Sequence, residues 1–205
     1  MSEPAPVQSI PRLTEATLFA ARAHRTQRRK GRDADPYVNH VIEVADRLAR
    51  ATEGSDLALV VAGLLHDTIE DCGVTAGDLT RRFGEDVAAL VVEVTDDRPL
   101  SREERKRAQI GHIATISERA PMLKVADKAS NLRDIALAPG SDWSAKRRHD
   151  YVLWADKVVA PCRGLNATLD RGYDEARSLA LKAIERDEME RNEAEREAAQ
   201  EGMAT

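Results

Sequence analysis

The segment LALVVAGLLHDTIED (57–71) constrains the fold more than any other. Its first nine residues are apolar or small on every side. As a helix it has no face to offer water, so it belongs at the centre of the protein. The surrounding sequence supplies partners of the same kind. Apolar and small residues recur at helical spacing over 13–27, with Thr14 as a candidate N-cap, and over 39–51, where His40, Val44 and Leu48 share one face. Thr75 caps a short helix ending at Gly84, EDVAALVVEV (85–94) follows, and Ser101 with Glu104 forms a capping box that opens a charged helix over 102–118. PMLKVADKASNLRDIAL (121–137) has Pro121 in its first turn, where a missing N–H is harmless. A longer tract runs over 144–172 and Pro161 is expected to kink it. No strand-like alternation and no internal repeat interrupts this series. The fold class expected is all-α.

The segment boundaries suggest three parts. Residues 1–11, rich in proline, read as a flexible arm, 12–172 as the folded domain, and 173–205 as a charged helical extension without the apolar heptads of a coiled coil. Deleting 184–205 should therefore cost little. Charged residues make up 33% of the chain with the signs interspersed and a net of −5, while aromatics reach only 3%. Neither a nucleic-acid partner nor a membrane surface suits that balance. Cys72 and Cys162 stand far apart in no metal-binding spacing, and the first residues do not form a signal peptide. A cytoplasmic setting is expected; oligomeric state is open.

Chemistry concentrates where the central helix leaves the core. His66 and Asp67 follow AGLL directly, and Glu70 and Asp71 come four residues after them. On a continuous helix that spacing stacks His66 over Glu70 and Asp67 over Asp71. A histidine–aspartate pair alone is ordinarily a helix end turned to water. Three clustered carboxylates near a helix C-terminus repel one another and oppose the macrodipole, so a positive partner is needed, and a divalent cation is the simplest one. Further ligands are available. His40 lies on the apolar stripe of its helix, and Asp127 sits inside LKVADKASNL, where a buried carboxylate needs a metal or a lysine such as Lys124 or Lys128. His40, His66, Asp67 and Asp127 make a mixed nitrogen and oxygen set, better suited to Mn²⁺, Fe²⁺ or Zn²⁺ with open positions than to a closed structural zinc site. Basic residues crowd the loop before His40, among them Arg29 and Lys30, and lie again around Lys106. Arginine and lysine so placed can grip phosphate oxygens.

With these residues in view, the chain resembles the alarmone hydrolase domain of the RelA/SpoT family, in its small stand-alone form. The likeness rests on QRRKGRDADPYVNHVIEVA (27–45), LLHDTIED (64–71), FGEDVAALVVEVTDD (83–97), ERKRAQ (104–109) and KVADKASNLRD (124–134). WS (143–144) and YVLWA (151–155) extend it, so that it covers about 13–170. The resemblance implies an all-helical HD fold and metal-dependent hydrolysis of the 3′-pyrophosphate of ppGpp or pppGpp, usually with Mn²⁺. By position it implies His40, His66, Asp67 and Asp127 as metal ligands and Glu70 and Asp71 as the catalytic acidic pair. Arg29, Lys30, Tyr37, Asn39, Lys106, Asn131 and Tyr151 match substrate-contacting or supporting positions. Two departures stand beside the site: Val41 where a proline is common, and Ala129-Ser130 in place of bulkier residues before Asn131. No stretch resembles the synthetase half of long family members. Two other readings keep the same fold. One is a phosphohydrolase acting on the 2′-phosphate of NADPH or on another nucleotide; the other is a sensor that binds the alarmone without cleaving it.

Overall fold

The structure, a computed structural model, describes residues 6–31, 34–112, 117–140 and 143–203. All its regular elements among these residues are helical: α1 (Pro6–Ala23), α2 (Val38–Ala51), α3 (Leu57–Leu65), α4 (Thr68–Cys72), α5 (Ala76–Phe83), α6 (Glu85–Val94), α7 (Arg102–His112), α8 (Ala120–Leu137), α9 (Ala145–Val159), a 3₁₀ turn at Ala160–Cys162, and α10 (Ala167–Met203). One antiparallel bridge joins Arg28 to Pro36 across the basic loop. No helix among the described residues is long and apolar enough to cross a membrane.

The apolar helix α3 sits at the centre, as its composition demands. Seven of its residues, from Leu59 to Leu65, are buried, and Asp56 caps it by accepting the Leu59 N–H. Against it lies α2, which buries His40, Val41, Val44, Ala45 and Leu48 on one stripe. Gly63 sets how closely the two approach: a Cβ there would lie 2.8 Å from Leu48 Cδ1 and 3.2 Å from Ala45 Cα. The buried helix α8 crosses this pair, and α10 lies along α8 and covers it. The capping boxes at Thr75–Asp78 and Ser101–Glu104 both form.

Three local expectations change. Thr14 does not start a helix; its hydroxyl donates back to Ile10 and Pro11 carbonyls inside α1, which begins at Pro6. The helix predicted over 57–71 breaks at His66-Asp67. Thr68 Oγ1 donates to the Leu65 carbonyl at 2.6 Å and His66 Nδ1 lies 2.9 Å from the Gly63 carbonyl, so side chains take over carbonyls there. Pro161 ends α9 in a 3₁₀ turn rather than kinking one long helix, since a proline cannot continue the N–H ladder. Of the helix expected over 102–118, the segment 113–116 lies outside the described residues.

The packed body also runs past residue 172. Tyr173, Ala176, Ala180, Ala183 and Ile184 on α10 are buried, and Asp187 accepts from the buried Arg148 at 2.7 Å. Deleting 184–205 therefore removes a core side chain and strands a guanidinium. That truncation should cost at least about 2 kcal/mol in chemical denaturation. Deleting 190–205, whose described side chains are exposed, should leave stability unchanged. Equal denaturation midpoints for the two truncations would contradict this boundary.

Candidate active site

Four side chains from three segments converge where α2, the α3–α4 break and α8 meet. His40 Nε2 lies 3.4 Å from Asp127 Oδ1 and 3.7 Å from Asp67 Oδ2. His66 Nε2 lies 3.1 Å from Asp67 Oδ2 and 4.0 Å from Asp127 Oδ1. One ligand atom each from His40, His66 and Asp67 falls within a 4.8 Å span. His66 and Asp67, adjacent in the junction between α3 and α4, both reach this point.

The cluster sets two carboxylates against two imidazoles in a site largely removed from water. Asp67 and Asp127 are taken from water, which disfavours their charge. Even so, His66 and His40 hold Asp67 well below the ordinary carboxylate range, and Lys128 and His40 do the same for Asp127. Burial drives His40 toward its neutral form. Burial also opposes charge on His66, but Asp67 and Asp127 outweigh it and raise its pKa to about 9. His66 Nε2 is buried with no hydrogen-bond partner of good geometry. Two imidazoles, two carboxylates and an orphaned buried nitrogen fit a divalent cation, which would offset the paired carboxylates and use that nitrogen. Lys128 Nζ meets the other oxygen of Asp127 at 2.8 Å, so the lysine partner and the inward-facing oxygen coexist on one carboxylate.

Glu70 borders the same polar recess, an inner cavity of about 160 Å³ shared with Asp96 and Lys124. Burial and the nearby charges of Asp96, Asp67 and Asp71 raise its pKa. Asp71 turns elsewhere: Gln27 Nε2 donates to its Oδ2 at 2.7 Å, and Gln27 Oε1 in turn meets His24. The Asp71 N–H donates to the Asp67 carbonyl at 2.8 Å, so the i, i+4 relation of these two residues persists across the break.

A larger cavity of about 400 Å³ opens from Glu70 and Asp71 toward the surface and is walled by Arg29, Lys30, Tyr151 and Trp143. The Tyr37 hydroxyl donates to Asp67 Oδ2 at 2.5 Å, and burial beside that carboxylate keeps the phenol protonated. Asn131 Nδ2 donates to Asp127 Oδ1 at 2.6 Å while its carbonyl oxygen accepts from Arg29, so this amide orients a carboxylate before it meets any substrate. Arg29 is further tied to Asp134. Lys106 lies over the Trp154 ring in neighbouring depressions rather than in the main cavity. Asn39 is exposed and lines neither cavity. The sequence reading did not single out Gln27, Glu43, Asp96, Gln109, Ser130 or Asp134. Each acts through a partner distant in the chain, so no local pattern marked them, save that Ser130 had stood out as a departure.

A cavity with a basic wall beside a buried histidine and aspartate cluster, in an all-helical fold, defines a metal-dependent phosphohydrolase of the HD class. Residues 16–156 match the HD domain family. The chain is 44% identical over 164 residues to the guanosine-3′,5′-bis(diphosphate) 3′-pyrophosphohydrolase MESH1 of Drosophila melanogaster, which spans 80% of this chain and 92% of that protein. Against MESH1 of Homo sapiens it is 43% identical over 158 residues, 77% of this chain and 88% of that one. A solved structure of a metazoan ortholog of SpoT that hydrolyses ppGpp superposes with a TM-score of 0.78 at 42% identity, covering 88% of this chain and 99% of the other. The chain belongs to the HD-domain family, in the stand-alone RelA/SpoT-type branch.

Proposed function

We propose that this chain hydrolyses the 3′-pyrophosphate of ppGpp and pppGpp, giving GDP or GTP and pyrophosphate, with Mn²⁺ as its resident metal. The observation that carries the reading is the convergence of His40, His66, Asp67 and Asp127 at an inner recess that shares Tyr37, Glu70 and Asn131 with the outer cavity walled by Arg29 and Lys30. The same activity is printed in the names of its MESH1 relatives. His40, His66, Asp67 and Asp127 would hold a divalent cation, which when bound would supply Lewis acidity. Everything else falls to the chain's own groups.

Arg29 and Lys30 receive the pyrophosphate oxygens, Arg29 with its guanidinium already oriented by Asp134 and Asn131. Tyr151 and Trp143 offer ring faces on the outer wall for the nucleoside. Glu70 accepts a proton from the attacking water. Its raised pKa moves its basicity toward neutrality, where a general base is most useful. The water oxygen ends on the phosphorus attached to the ribose 3′ oxygen, the bond between those two atoms breaks, and the 3′ oxygen leaves with a proton as the alcohol. Asp71, held by Gln27 on the wall of the outer cavity, completes the acidic pair beside Glu70. Two unpaired cysteines suit the reducing cytoplasm in which we place the reaction.

Incubation of purified protein with ppGpp should give GDP and pyrophosphate with Mn²⁺ and neither with a chelator. Comparing kcat/KM for ppGpp, NADPH and deoxynucleoside monophosphates ranks the substrates. Turnover of NADPH alone would transfer the assignment to 2′-phosphate chemistry, and ppGpp binding without cleavage in Mn²⁺ would mark a sensor.

A further inference from the structure

The proposed metal site uses His40 through Nε2. Its other ring nitrogen, Nδ1, lies 3.0 Å from Ser130 Oγ, and that hydroxyl donates to Glu43 Oε2 at 2.9 Å. His40 is 3% exposed and Ser130 fully buried, so water does not compete for these bonds. Glu43 Oε1 takes Arg47 Nη2 at 2.7 Å and faces Arg133 Nη1 at 3.4 Å. An ion-paired carboxylate can only accept, and a hydroxyl owns one proton. The Ser130 proton therefore goes to Glu43, and the contact with His40 requires the imidazole proton on Nδ1. That leaves the Nε2 lone pair aimed at the space between Asp67 and Asp127.

We propose that Ser130 and Glu43 are positioning residues that hold His40 in its Nδ1–H tautomer and thereby set the metal affinity of the site. The inference rests on the reading of His40 as a ligand. His66 reaches the same tautomer by a simpler route, since its Nδ1 meets the Gly63 carbonyl, which can only accept. One histidine is thus oriented by backbone, and the other by two side chains from α2 and α8. Outer partners of this kind raise ligand basicity and fix ring orientation.

The direction of the relay makes a specific variant informative. In Glu43→Gln, Arg47 and Arg133 retain the carbonyl oxygen at the Oε1 position, and the amide NH₂ faces Ser130. The hydroxyl then accepts from the amide and donates to His40 Nδ1, which moves the ring proton onto Nε2. A nearly isosteric change reverses the relay.

The test combines Mn²⁺ titration of the metal-free full chain with ¹⁵N spectra of the His40 ring, recorded above the ordinary histidine titration range. Glu43→Gln and Ser130→Ala should each weaken Mn²⁺ binding by about tenfold or more. Glu43→Gln should also shift His40 to the Nε2–H form. Ser130→Thr, which keeps the hydroxyl, should retain wild-type affinity, separating the relay from simple packing. Affinities within about twofold of wild type for both weakened variants, or a His40 that stays Nδ1–H in Glu43→Gln, would overturn the proposal. If wild type binds Mn²⁺ and the variants lose it but ppGpp is not cleaved, the substrate assignment fails and the relay stands. A wild-type chain that binds no Mn²⁺ removes the ligand reading and the relay's role with it.

Discussion

Asp67→Ala leaves a folded chain that no longer holds a divalent cation and hydrolyses ppGpp more than ~100-fold slower, beyond the range typical of outer partners of a metal ligand. Asp67 Oδ2 is the oxygen closest to His66 Nε2, and it also faces His40 Nε2 and accepts from Tyr37. Asp127 cannot take its place, because its Oδ1 already faces the same two imidazoles from α8. Because His66 and His40 hold Asp67 well below the ordinary carboxylate range and Tyr37 donates to it, the metal-free variant should also unfold somewhat more easily than metal-free wild type. Thermal melts separate these effects. Mn²⁺ should raise the wild-type Tm by mass action and leave that of Asp67→Ala unchanged. A variant that is stabilised by Mn²⁺ as strongly as wild type would place the cation on other residues.

Glu70→Gln keeps the metal and loses turnover, with kcat lower by roughly 10³-fold, within the range of a lost general base. Its carboxylate borders the recess of His66, Asp67 and Asp127, but the close contacts to the two imidazoles are made by Asp67 and Asp127. The substitution preserves shape and removes the ability to take a proton. Mn²⁺ affinity should stay at or near the wild-type value while kcat falls. A near-normal kcat would remove Glu70 from the chemistry, and a parallel loss of Mn²⁺ would make it a ligand instead. The two variants together divide binding from proton transfer, which neither does alone.

Much of this was legible because it is local. The greasy run before His66, the His40–Val44–Leu48 stripe, the Thr75 cap and the Ser101–Glu104 capping box depend on residues a few positions apart, and each appears in the structure as the spacing implies. Thr14 shows the limit of the same logic: a threonine that can cap a helix can equally bond back inside one, and nothing nearby decides between them. The break at His66-Asp67 was invisible for a related reason. Both residues keep right-handed helical backbone angles, and only side-chain bonds from Thr68 and His66 to carbonyls of α3 show where the ladder is interrupted. The α10 tail looked detachable because its charge hides a sparse buried stripe running as far as Ile184.

By itself the sequence determined the helices, the central place of α3 and a set of metal-ligand types at motif spacing, since periodicity and side-chain chemistry act within a few residues. Tertiary structure alone decided that His40, His66, Asp67 and Asp127 meet at one point, that Gln27 holds Asp71 across 44 residues of chain, and that Ser130 reaches Glu43 across 87. Hydrogen bonds and ion pairs need positions set to fractions of an ångström, and between distant segments those positions come only from how the helices pack.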